Sequence, residues 1–194
     1  MILDRLAREV EALLFASDAP LSARQLGELT GSGEESLVQA VERIDAAFRE
    51  QGHAFHVVEV AGGYRIATDP EYGPVVSQLF EGQKPGRLTR AALETLAVIA
   101  YSQPCSRAAI EAIRGVNCDS ALRTLIERDM VKISGRMESP GRPLLYATTT
   151  SFLEYFGLAD LDHLPRMEEI SGLLGMTSSE LEERDLFRTD DHGE

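Results

Sequence analysis

The chain has 194 residues, 43% of them hydrophobic and 6% aromatic, with no Trp and a formal net charge of −13. That length allows one large or two small domains, and that composition excludes a disordered polymer or a fibrous repeat. A chain so acidic is repelled by phosphate, which weighs against a stand-alone nucleic-acid binder.

Leu3, Leu6, Val10, Leu13 and Leu14 recur at spacings of three and four, so the first segment is expected to be an amphipathic helix. Pro20 ends that segment. Ser22-x-x-Gln25 reads as a capping box opening a short helix to Gly31. Ser32-x-x-Glu35 is expected to cap a third helix to about Glu50, with Leu37, Val38, Val41, Ile44 and Phe48 as its apolar stripe. The period then changes. Phe55–Val60 and Tyr64–Thr68 are β-prone runs joined at Ala61-Gly62-Gly63, a hairpin signal. Pro70 opens a short helix with Val75, Val76, Leu79 and Phe80. Residues 81–88 hold two Gly, one Pro and three charges, the composition of a linker.

The second half repeats this order. Thr89 is expected to cap a helix through Tyr101 that is apolar nearly all round and therefore central. Pro104 stops it, Ser106 starts a short helix to Gly115, and Asn117 or Asp119 starts a third to about Asp129. Met130–Ile133 and Leu144–Thr148 are expected strands around a polar loop from Ser134 to Pro143. Ser151-x-x-Glu154 is expected to cap a last helix, Phe152 to Leu158. An offset of 84 lays Pro20 on Pro104, Ser22 on Ser106 and Gly31 on Gly115. It also pairs Leu14 with Val98, Phe15 with Ile99, Leu26 with Ile110, Leu29 with Ile113, Val38 with Leu122 and Val41 with Leu125.

The order helix, short helix, helix, two-stranded wing is that of a winged helix. The expected fold is α+β and mostly helical: two tandem winged-helix domains, each of three helices and a two-stranded wing. Residues 1–80 form the first, 81–88 a linker, 89–158 the second, and 159–194 an acidic, largely flexible tail.

Charge follows these boundaries. Residues 1–80 have 6 basic and 13 acidic side chains, 81–157 have 10 and 8, and 158–194 have 3 and 11. Only the middle stretch does not repel anions. Apolar runs fall short of the roughly 18 residues that cross a bilayer, and Asp4, Arg5, Arg8, Glu9 and Glu11 break up any signal-peptide core. Cys105 and Cys118 are too few for a disulfide framework and lack metal-ligand spacing, so both are expected as reduced cytosolic thiols. Phosphate-loop, dinucleotide, nucleophile-elbow and zinc-protease motifs are missing, and the histidines at 53, 56, 163 and 192 are scattered. No catalytic, cofactor or metal site is expected, and no enzyme.

A winged helix without a basic recognition face still has a hairpin edge and helix grooves that suit peptide docking. The competing reading is a winged-helix DNA-binding transcription regulator. Against it, the third helix of the first domain sets Glu34, Glu35, Glu42, Asp45 and Glu50 beside only Arg43 and Arg49.

Leu93–Pro104 (LETLAVIAYSQP), Arg114–Asp119 (RGVNCD), Gly141–Thr149 (GRPLLYATT) and Phe152–Leu158 (FLEYFGL) closely resemble the segregation and condensation protein B family. The resemblance covers roughly residues 5–165 and is most specific in the second domain. It implies a non-catalytic subunit of the bacterial structural-maintenance-of-chromosomes complex, cytoplasmic and nucleoid-associated. Its partners would be a second copy, held mainly through the first domain, and the kleisin subunit, segregation and condensation protein A. The ATPase would be reached through the kleisin, without direct sequence-specific nucleic-acid binding or a membrane. Candidate partner-binding residues are Tyr101, Arg114, Arg136, Arg142 and Tyr146. Pro143 is expected to fix its own φ and bias Arg142 toward extended geometry entering the strand.

Overall fold

The structure is a computed structural model that describes residues 3–80 and 87–166. The described residues form two compact units, residues 3–80 with 157–160, and residues 87–156 with 161–166. Residues 81–86 of the expected linker and 167–194 of the expected tail lie outside the described residues. Leu88, at the linker's far end, is buried.

In the first unit, α1 (Arg5–Ala16) is capped by Asp4, whose carboxylate accepts from Ala7 N at 2.8 Å. The Ser22–Gln25 capping box is present at the start of α2 (Ala23–Thr30), and Gly31 ends that helix at φ +70°. The third helix, α3 (Glu34–Glu50), departs from expectation. Gly33 is its N-cap and Ser32 gives no side-chain cap. A Ser-x-x-Glu pattern marks a helix start only if the Ser falls in the cap register, and here the chain turns one residue later. Val10, Leu14, Leu26, Leu37, Ile44 and Phe48 form the core of the three-helix packing.

The wing of this unit is β1 (Phe55–Val60) antiparallel to β2 (Gly63–Thr68), with Val60 opposite Gly63. A two-residue turn joins them, Ala61 at φ +53° and Gly62 at φ +73°, the conformation a twisted hairpin prefers. Leu21 and Tyr64 exchange two backbone hydrogen bonds of 2.9 Å, tying the start of α2 to the wing. A Cβ on Gly63 would stand 2.8 Å from the Leu21 carbonyl carbon, so this junction requires glycine. The Leu158 and Ala159 carbonyls accept from the N–H groups of Ala61 and Gly62, both at 2.8 Å, and so cover the hairpin tip. A 3-10 turn (Pro70–Tyr72) and α4 (Gly73–Leu79) follow β2.

The second unit opens with α5 (Arg90–Ser102), capped by Thr89 and buried at Ala92, Thr95, Leu96, Val98, Ile99 and Ala100. Next come β3 (Cys105–Ser106), α6 (Arg107–Arg114), α7 (Asp119–Glu127), β4 (Val131–Arg136), β5 (Leu144–Thr148) and α8 (Thr150–Phe156). The wing is three-stranded rather than two-stranded, in the order β3-β5-β4. Two residues are too short to show a period, and β3 exists only because Cys105 and Ser106 lie opposite Tyr146 and Leu145. Ser106 both ends this strand and caps α6. The last helix is capped by Thr149, whose hydroxyl accepts from Phe152 N at 3.2 Å, and Ser151 instead donates to Asp129 at 2.6 Å. The result is α+β and mostly helical with small antiparallel sheets, and both units run helix, short helix, helix and then an antiparallel strand pair.

Candidate partner-binding surfaces

The five sequence candidates all fall in the second unit but serve different places in it. Arg114 closes α6 against α5. Its guanidinium, with the side chain only 8% exposed, donates to Glu94 at 2.6 Å and to Thr95 Oγ1 at 2.8 Å. Glu94 also accepts from Arg90, and the hydrogen bonds from Arg90 and then Arg114 hold its carboxyl below the usual range. Tyr146 is buried at the centre of the sheet, opposite Cys105 on one side and Ile133 on the other. Tyr101, at the end of α5, donates its hydroxyl to the Pro165 carbonyl at 2.7 Å.

Arg136 and Arg142 are brought together on the wing. Both are exposed, and Arg136 Nη1 donates to the Arg142 carbonyl at 3.3 Å. Arg142 is not extended as expected. It has φ +42°, because Ser139–Arg142 closes a turn in which Arg142 N donates to Ser139 O at 2.9 Å and Gly141 sits at φ +82°. The preference that Pro143 imposes is overridden by the closure of this loop, and pairing resumes where Met137 N donates to Pro143 O.

The strand that carries Arg136 adds what sequence reading missed. β4 is an outer strand whose residues Lys132 to Arg136 are all exposed, and one side of its backbone has no neighbouring strand among the described residues. A bulge between Ile133 and Gly135 leaves Ser134 donating to Leu145 O. Ile133 and Met137 stand exposed beside Lys132, Arg136 and Arg142, and none of these three cations forms an ion pair among the described residues.

The first unit exposes large apolar groups. Phe15 is 84% exposed, Leu79 76%, Leu29 63% and Val75 61%. The offset that pairs Phe15 with Ile99 therefore holds for position and fails for burial, since Ile99 is fully buried. On α3, Arg43 is paired with Asp4 at 3.1 Å and Arg49 with Asp45 at 2.7 Å, which leaves Glu34, Glu35, Glu42 and Glu50 exposed. Cys105 and Cys118 are buried, and burial pushes both thiols up, Cys105 to about 11, so neither is a ready thiolate near neutral pH.

These features define an α+β protein of two similar units whose distinctive surfaces are exposed apolar side chains and a bare, basic strand edge. The family model described as segregation and condensation complex subunit ScpB matches residues 8–167, and the chain belongs to that family. Segregation and condensation protein B of Brevibacillus brevis is 44% identical over 163 residues, 84% of each chain. That of Symbiobacterium thermophilum is 43% identical over 159 residues, 82% of this chain and 72% of the relative. Among solved structures, a dimer of the ScpB N-terminal domain complexed with ScpA peptide is 30% identical. It covers 38% of this chain and 91% of that one, with a TM-score of 0.35.

Proposed function

We propose that this chain is a non-catalytic subunit of the bacterial chromosome condensation and segregation complex, acting in the cytoplasm on the nucleoid as a homodimer. The dimer grips the kleisin, segregation and condensation protein A, which bridges the ATPase heads. The observation that carries this reading is family membership across residues 8–167. The surfaces support its division of labour. Phe15, Leu29, Val75 and Leu79 are exposed on the first unit, which suits a self-association face. Lys132, Arg136 and Arg142 give the second unit an edge for a kleisin segment, with planar guanidinium groups for carboxylates or carbonyls. In this reading Arg136, Arg142 and Tyr101 touch the partner, while Arg114 and Tyr146 hold the surface in shape from within. Direct sequence-specific DNA binding is no part of this reading, in keeping with the pairing of Arg43 and Arg49 of α3 with Asp4 and Asp45.

A labelled central kleisin fragment titrated with the full chain and with Arg142→Glu tests the edge. Loss of an interfacial arginine contact is expected to weaken binding on the order of a hundredfold, with melting unchanged. Equal affinities would move the site off the wing. Sedimentation of the full chain at tens of micromolar (about the range where a weak dimer registers) should show a dimer that Phe15→Asp weakens, and a strictly monomeric wild type would sink the homodimer.

A further inference from the structure

The outer side of β4 presents its backbone groups in a definite order, and two hydrogen bonds fix it. Thr149 N donates to Met130 O at one end of the β4–β5 ladder, and Met137 N donates to Pro143 O at the other. Bonded and non-bonded pairs alternate along an antiparallel ladder, and the bulge at Ser134 adds the residue that keeps both ends in phase. Val131–Thr148, Ile133–Tyr146 and Arg136–Leu144 are therefore the non-bonded pairs. Thr148 agrees, since its N–H turns away from β4 and donates to Gln103 Oε1 at 2.7 Å. The N–H and C=O groups of Ile133 and Arg136 thus point out of the sheet, where no strand of the described residues meets them.

We infer that β4 takes up an extended partner segment as an added antiparallel strand, and selects one that reads acid, any residue, apolar, acid. This rests on the reading of the wing as the partner edge and names the chemistry that edge selects. Directly opposed residues of neighbouring strands share a face. The bulge places Arg136 on the face of Ile133, beside Leu144 and Tyr146, and leaves Lys132 on the other face beside Ala147. It also compresses the three steps from Ile133 to Arg136 into two steps of a neighbouring strand, as β5 shows. An incoming antiparallel strand therefore meets Arg136, then after one residue Ile133, then Lys132.

Charge complementarity chooses the occupant. From Val131 to Thr148 the chain sets Lys132, Arg136 and Arg142 against Glu138 alone, and an opposed carboxylate stabilises a cation across a strand pair. A second copy of this edge would lay cations on cations, which disfavours self-pairing. The middle position is apolar because Ile133 is 52% exposed and gains cover from an apolar neighbour on its face. Main-chain hydrogen bonds at Ile133 and Arg136 supply affinity whatever the side chains, and the alternating side chains supply choice. The antiparallel direction follows from its better bonding per residue.

The probe is a fluorescein-labelled synthetic peptide with Glu-Thr-Val-Glu at its centre, titrated with the full chain at roughly 100 mM salt and read by anisotropy. It should bind, and Lys132→Glu with Arg136→Glu should weaken it at least about tenfold with an unchanged melt. Two N-methylated peptides test the strand itself without touching the protein. Methylating the valine amide, which faces Ile133, should weaken binding about tenfold, and methylating the second glutamate amide, which faces away, should leave it unchanged. Equal affinities of the two methylated peptides would mean charge capture without a strand and would overturn the proposal. A DNA duplex that displaces the peptide at roughly 150 mM salt would assign the cations to phosphate and overturn it equally. An unbound peptide beside a kleisin fragment that still responds to Arg142→Glu would overturn the added strand and leave the proposed function standing. A bound peptide beside a kleisin fragment indifferent to the wing would sustain the strand and move the kleisin elsewhere.

Discussion

Superposed in sequence at an offset of 84, the two units keep the same joints and open different surfaces. Ser22 and Ser106 cap the short helix, and Gly31 and Gly115 end it at φ +70° and +68°. Leu21 reaches the wing through one bridge where Cys105 and Ser106 make a short strand. Beyond these joints the units part. The short helix of the first ends in Thr30, which donates to the Leu26 carbonyl of its own helix. Its counterpart Arg114 crosses to α5 and is locked by Glu94 and Thr95. The first unit exposes Phe15 and Leu29, and the second buries Ile99 and half-buries Ile113. One small fold thus retains its corners, which local backbone chemistry dictates, while the outward faces are free to diverge toward apolar association or a charged strand edge.

The strongest way to break this equivalence is at its shared core position. Leu26 and Ile110 are both fully buried in the short helix. Leu26→Ala and Ile110→Ala should each cost about 2–5 kcal/mol, confined to its own unit. Hydrogen exchange at the amides of α2 and α6 reads the units apart. Equal loss of protection in both units from either change would show that they unfold as one body.

Glycines in the two wings sharpen the contrast. Gly63→Ala puts a methyl against the Leu21 backbone and should destabilise the first unit by about 1–3 kcal/mol. Gly135→Ala meets open space and should stay within about 0.5 kcal/mol. Thermal melts of both variants decide it, and a neutral Gly63→Ala would mean that the Leu21–Tyr64 bridge is dispensable.

How far this was readable from sequence follows the same division. Caps at Ser22, Thr89 and Ser106, and the turn at Ala61-Gly62, were legible because they depend on two or three neighbouring residues. Ser32 and Ser151 misled because a capping pattern fixes chemistry without fixing register. β3 and the φ of Arg142 depend on chain brought from elsewhere, the first on β5 and the second on closure of its loop. Of the site, the arginine pair on the wing was legible and its bare edge was not. That Arg114 is engaged within the unit was not legible, because nothing local shows that Glu94, twenty residues away, takes its charge.

Acid separates the units more gently. The Glu94 carboxyl lies below its ordinary 4.5, through the hydrogen bonds from Arg90 and Arg114. A depressed folded value stabilises above the unfolded range and is lost as pH falls through the folded one. Lowering pH through and below about 4.5 should therefore weaken the second unit with a component that Glu94→Gln removes. Melts of the two chains between roughly pH 6 and pH 3 test this, and identical pH slopes would show that the α5–α6 ion pair does not contribute.

The smallest effect expected concerns one backbone conformation that the units serve with different residues. Ala61 at φ +53° turns the first hairpin, and Asp129 at φ +55° turns the chain from α7 into β4. An alanine there places Cβ near the following carbonyl, whereas Asp and Asn tolerate the left-handed region through local hydrogen bonds. Asp129 adds a further tie, since its carboxylate accepts from Ser151 Oγ at 2.6 Å and its carbonyl accepts from Thr149. The two sites should answer substitution with opposite signs. Ala61→Asn makes an Asn-Gly turn suited to the hairpin and should gain about 0.5–1 kcal/mol. It keeps the N–H that Leu158 accepts, because that bond is made by backbone. Asp129→Ala both strains the turn and frees Ser151, and should lose about 1–2 kcal/mol. Denaturant midpoints with unchanged m-values would measure both. A loss at Ala61→Asn would mean that the cover of Leu158 and Ala159 over the hairpin tip leaves no room for a longer side chain, and that crowding rather than φ chose alanine.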